Sequence, residues 1–132
     1  MLHRIPIQLA VQIILGLSGL ILIFHGLILS GVIPFQYVWG GRLENQEQMI
    51  AFESISVIIN LLMAGVAAIK GGYINPSLPQ LGVRILLWLF TGLFFLNTLG
   101  NLIAVQSLET WIATPITFLL FVLYLRLALH RD

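Results

Sequence analysis

The chain contains no cysteine, so disulfides, thiolate metal sites and thiol redox chemistry are excluded at once. Charge is almost as scarce. Only 8% of the 132 residues are Asp, Glu, Lys or Arg, against about 25% in an ordinary soluble domain. Hydrophobic residues make up 59% and the mean hydropathy is +1.03, more apolar surface than a soluble fold of this length can cover. The net charge is +1 and the basic residues form no cluster, which leaves no electrostatic footprint for nucleic acid. HExxH and GxSxG are both missing, and with them the zinc-protease and nucleophile-elbow chemistries. No motif names a reaction or a cofactor.

What is present is four apolar runs, Ile7 to Ile33, Met49 to Ile69, Val83 to Ala104 and Ala113 to Leu129, each near the length a helix needs to cross a bilayer. They predict an all-α, four-transmembrane-helix bundle forming a single membrane domain over residues 1–132. MLHRIPIQLA begins as a signal peptide does, but the apolar run behind it is too long for one, so it reads as an uncleaved signal anchor. Lys and Arg set the orientation. Arg4, Lys70, Arg84, Arg126 and Arg131 fall on one side and Arg42 alone on the other, which predicts cytoplasmic termini and outer links at 34–48 and 105–112. Tyr37, Trp39 and Trp111 would mark the outer interface, and Tyr73, Trp88 and Tyr124 the inner one.

The links carry their own punctuation. KGGYINPSLPQLG is rich in glycine and proline and predicts a turn between antiparallel helices. PFQYVWGGRLENQEQ starts aromatic, turns at Gly40 and Gly41 and becomes acidic, with Glu44 and Glu47 near the positive end of the second helix. Thr114 and Pro115 read as an N-cap and first helical position.

Ionisable and amide side chains inside the spans are the candidate site. His25 lies roughly 12 Å below the outer end of the first span and Glu53 roughly 6 Å below that of the second. Asn97 and Asn101 come out at roughly 10 and 5 Å, and Asn60 deeper, at roughly 16 Å on the Glu53 face. On a helical wheel Glu53, Ser56 and Asn60 share one face. Asn97 and Asn101 group with Phe90 and Phe94. Gln12, Gly16, Gly19, Gly26 and Ser30 form a small-residue stripe suited to close helix approach, with Ser18 and His25 well round from it.

A carboxylate inside a bilayer is penalised by roughly 2.5 to 3.5 kcal/mol on insertion scales, so Glu53 needs a partner or a proton. Arg42, the single cation on that side, is the expected partner for Glu53 or a neighbouring outer glutamate. His25 is expected to hydrogen-bond Glu53, Asn97 or Asn101. Each residue also has a plain structural reading: a snorkelling or locking Glu53, a histidine bonded to a carbonyl, asparagines that glue helices together. Together His25, Arg42, Glu53, Asn60, Asn97 and Asn101 form an outward-facing polar layer that can bind a ligand or relay protons, since a histidine beside a carboxylate exchanges protons near neutral pH. The ligand set is too poor for a metal.

Three functions fit. The leading one is a non-enzymatic membrane protein with a ligand or proton site, working alone or as a subunit of a larger complex. The second is a membrane enzyme acting on a lipid or quinone, and the third a structural or assembly subunit. The lipid bilayer is the one partner the composition demands; a homo-oligomer or a membrane-protein partner stays open. Small multidrug exporters have a similar length and one embedded glutamate, but theirs lies in the first helix and their charge bias is weak. FHGLILSGVIPFQYVWGGRL followed by FESISVIINLL resembles a group of uncharacterised bacterial four-helix membrane proteins that share the His, IP, VWGGR and Glu pattern. That resemblance implies a multi-pass protein of the bacterial inner membrane and no known activity.

Overall fold

The four apolar runs become four helices, α1 Ile7–Leu29, α2 Gln46–Lys70, α3 Gln80–Leu102 and α4 Thr114–Leu129, in a computed structural model that describes residues 1–103 and 109–131. Among the described residues there is no strand. All four helices are long and apolar enough to cross a membrane, the last counted from Trp111. The expected end of the third span at Ala104, and the first part of the link after it, lie outside the described residues.

Local chemistry explains the ends. The first helix stops at Leu29 rather than Ile33, because Gly31 adopts φ +85° and turns the chain back, its N–H bonding the Ile28 carbonyl and the Ile33 N–H the Leu27 carbonyl. At the start of α2, Asn45 Oδ1 accepts the Gln48 N–H at 2.8 Å, and Gln48 Oε1 accepts the Glu44 N–H at 3.0 Å. Helix α2 therefore begins three residues before the apolar run does. The fourth helix is entered through a π turn, Glu109–Ala113, so Thr114 is its first residue and the N-cap position falls on Ala113, not on Thr114 as expected.

α1 and α2 pack antiparallel, and their seam recurs at alternating steps of three and four: buried Val11, Ile14, Ser18 and Ile28 with half-buried Ile21 and His25 between them on α1, and buried Met49, Glu53, Asn60, Met63 and Ala67 with half-buried Ser56 among them on α2. This is the seam of a left-handed helix pair. Ile28 packs in one cluster with Met49, and Val11 and Ile14 in another with Met63 and Ala67. His25 meets Glu53 on the same register. At the far end Gln8 Nε2 donates to the Gly71 carbonyl at 2.7 Å.

The other two helices complete the bundle, α3 against α4 and α4 back against α1. Tyr124 joins them. Expected at an interface, it is fully buried instead, with its ring against Phe90 and Phe94 and its hydroxyl donating to the Met63 carbonyl of α2 at 2.8 Å. Arg126, read from sequence as an interfacial charge, is also buried; its Nε donates to the Ile5 carbonyl at 2.9 Å. Most of each span faces outward, since only 22 to 33% of the span windows is buried inside the protein. The outward side chains are large and apolar, Leu20, Ile23, Ile55, Ile58, Leu62, Leu89 and Leu96 among them. Lipid is the solvent that suits that surface.

The small-residue stripe of α1 is not a packing face. Gly16, Gly19 and Gly26 are exposed, and a Cβ added at any of them meets nothing within 4 Å. The close approach is at Gly71, where an added Cβ would stand 2.8 Å from Val11 Cγ1 and 3.1 Å from the Tyr73 ring. Val11 is fully buried and β-branched, so it cannot swing away. Gly71→Ala should therefore lower stability by about 1–3 kcal/mol, while Gly16→Ala should raise it by about 0.5–1 kcal/mol through helix propensity. Thermal unfolding of both variants in one detergent checks this; equal midpoints would remove the assigned contact.

Candidate functional site

Glu53 is placed by its helix at a seam position, where its side chain has no exposed area. Both carboxylate oxygens are occupied. Oε2 contacts His25 Nδ1 in the one salt bridge formed among the described residues. Oε1 accepts the indole Nε1–H of Trp39 at 2.7 Å. His25 keeps 14% of its side chain exposed, so it is the member of the pair that reaches the surface.

Trp39 was not expected in this role. Its sequence signature, an aromatic beside two glycines in a link, reads as an interfacial anchor. The backbone shows what else it does: Trp39 has φ +56°, the single positive φ outside glycine among the described residues, a conformation that costs about 1–2 kcal/mol for a residue bearing a Cβ. Short 3₁₀ turns at Phe35–Tyr37 and Trp39–Gly41 fold the link back over the helix ends, and Gly41 at φ +72° releases the chain toward α2. The Trp39 ring leans on Phe52 at 5.2 Å. Strain and stacking together aim an N–H at a carboxylate.

The other expected members separate from this pair. Arg42 is exposed and has no ion pair among the described residues, so the expected bond to Glu53 is not made; the indole occupies that oxygen. Asn97 is exposed as well. The seven-residue step from Phe90 falls about 20° short of whole turns, and Thr98 takes the seam position, buried, with its hydroxyl donating to the Phe94 carbonyl at 2.7 Å. Asn101 belongs to the α3–α4 contact, where its Nδ2 donates to Thr117 Oγ1 at 3.2 Å. Asn60 does line the Glu53 face, buried, with Nδ2 donating to the Ser56 carbonyl at 3.2 Å.

The geometry constrains where protons can sit. An indole N–H only donates, so Glu53 Oε1 acts as an acceptor and the proton between the partners lies on the Oε2 to Nδ1 line. With that proton alone the pair carries one negative charge. The proton that makes it neutral goes to His25 Nε2, whichever partner holds the shared one. A further proton leaves an N–H or O–H without an acceptor and weakens the contact. Among the described residues no group of three or more His, Asp or Glu comes together in a way that suits a metal ion.

Removing one member of a buried ion pair costs about 3–5 kcal/mol, because a charge is left alone, whereas replacing both with apolar residues is close to neutral. His25→Leu should be destabilising by that amount, and His25→Leu with Glu53→Leu should recover most of it. Trp39→Phe should cost about 1–3 kcal/mol through the stranded Oε1. Denaturation of the purified variants tests the set; a double variant less stable than His25→Leu would sink the pairing.

No protein-family model, curated protein or solved structure matches this chain.

Proposed function

We propose that this is a multi-pass protein of the bacterial inner membrane in which His25 and Glu53, under Trp39, form a proton-exchanging site open toward the outer side. The observation that carries the reading is a fully buried carboxylate bonded on one oxygen to a histidine and on the other to an uncharged donor. Such a pair can change charge without changing partners. α3 has no ionisable side chain between Arg84 and Leu102, and α4 has none before Tyr124. His25 Nε2 is the entry point, since Nδ1 is taken by Glu53 and His25 is the member of the pair that keeps exposed area.

Topology follows from the charge bias. Cytoplasmic termini place the 34–45 link and Trp39 outside. A cysteine replacing Ser77 should be shielded from an impermeant thiol reagent in intact cells, and one replacing Gln36 should react. The opposite pattern would reverse the proposed orientation.

A second reading is favoured by one fact, that both oxygens of Glu53 are already satisfied. In that reading the pair is a latch that sets how α1 meets α2, and the protein is a structural or assembly subunit. Nuclear magnetic resonance in lipid nanodiscs separates the two. Proton exchange predicts that the His25 ring and the Trp39 indole N–H respond together when pH is varied, and that Glu53→Gln abolishes the Trp39 response. Signals from both groups that stay flat over the whole pH range in which the protein remains folded would leave only the latch.

A further inference from the structure

Among the described residues, two buried side-chain atoms lack a hydrogen-bond partner within the protein, Ser18 Oγ and Asn60 Oδ1. Ser18 is 1% exposed and Asn60 9%. They are not scattered. Ser18 lies seven residues before His25, and Asn60 seven after Glu53, so the heptad register that sets His25 against Glu53 sets Ser18 against Asn60 about 10 Å deeper. Both residues are buried seam positions of the same helix pair. Ser18 is the central residue of α1, roughly 16 Å from either end.

The bonding inventory at this layer is incomplete in a specific way. Asn60 Nδ2 is used on the Ser56 carbonyl, and Ser56 Oγ on the Phe52 carbonyl, which leaves Asn60 with an acceptor. Thr91 and Thr98 each turn their hydroxyl back to a carbonyl of their own helix; Ser18 does not. One turn further along α2, the Met63 carbonyl is held by Tyr124. The layer therefore asks for a small group that donates to Asn60 Oδ1 and bonds the Ser18 hydroxyl. At the centre of a bilayer, leaving such groups unmet is strongly unfavourable, because no solvent there can take their bonds. Two neutral oxygens are too few for a hard cation, which takes six or more oxygen ligands. A water suits the pair: it both donates and accepts, and two to four polar partners are enough to hold it.

We propose that one water molecule is held between Ser18 and Asn60, bridging α1 and α2 at the middle of the membrane. It donates to Asn60 Oδ1 and pairs with the Ser18 hydroxyl. The α1–α2 seam then carries two polar layers of different kind. The ionisable one, His25 with Glu53, is nearer the link, and the neutral hydrated one is two turns deeper, with the Ile21 and Ser56 layer between them. The proposal stands independently of proton exchange at His25, because neither Ser18 nor Asn60 is ionisable.

Water-edited solid-state magnetic resonance of the labelled protein in lipid bilayers tests it. In the wild type, the Asn60 side-chain amide should receive magnetisation from water, while the backbone amides of Met63 and Ala67 on the same seam should not. Ser18→Ala should abolish the Asn60 signal, and Glu53→Gln should leave it intact. A wild-type Asn60 amide as dry as Met63 and Ala67 overturns the proposal, as does an Asn60 signal that survives unchanged in Ser18→Ala. Loss of the signal in Glu53→Gln would overturn the independence of the two layers.

Discussion

Everything around α1 and α2 depends on one requirement, that a carboxylate taken out of water must have both oxygens bonded. Unpaired, Glu53 would carry a penalty of several kcal/mol, comparable with the whole stability of a small domain. Satisfying Oε2 fixes the register of α1 against α2, because a one-residue slip would move His25 off the seam. Satisfying Oε1 reaches further and dictates a loop. The link must return over the helix ends, turn through a positive φ at Trp39 and present an N–H at 2.7 Å. The strain at Trp39, about 1–2 kcal/mol, is of the same order as the cost of about 1–3 kcal/mol of the stranded oxygen that it removes.

How much of this was legible depended on the kind of signal. Four helices were readable because apolar run length is a property of the sequence itself, and depth alone left Glu53, Asn97 and Asn101 all open as partners of His25, of which the structure takes Glu53. The small-residue stripe of α1 misled. Gly16, Gly19 and Gly26 look like a packing face, yet in this bundle the seam runs through Val11, Ile14, Ser18 and Ile28. Asn97 misled through the 20° drift of a straight helix over seven residues. Tyr124 is buried because its hydroxyl finds the Met63 carbonyl on a helix far away in sequence, a partner no local pattern announces.

Arg42 and Trp39 show the limit most clearly. Formal charge makes Arg42 the obvious partner for a glutamate, and only three residues separate the two candidates. The choice is made by backbone geometry: Trp39 adopts a left-handed turn that aims its ring inward, while Arg42 comes after Gly41 has turned the chain away. The glycines at 40 and 41 were visible as a turn. That the turn would deliver an indole to a carboxylate was not, since a positive φ at a residue with a Cβ has no sequence signature.

The substitution of an indole for a guanidinium also changes what the pair is able to do. A guanidinium beside Glu53 would hold it ionised through charge, with a bidentate bond that competes with His25 for the same oxygens. An indole N–H satisfies one oxygen and brings no charge. The charge state of the pair is then decided by the proton count on His25 and Glu53 alone, in a part of the bundle where α3 and α4 contribute no ionisable group. The deeper Ser18 and Asn60 layer repeats the principle with neutral groups. Along this seam, polarity is supplied by donors and acceptors that fix geometry, while charge is confined to a single pair of which only His25 keeps any exposure.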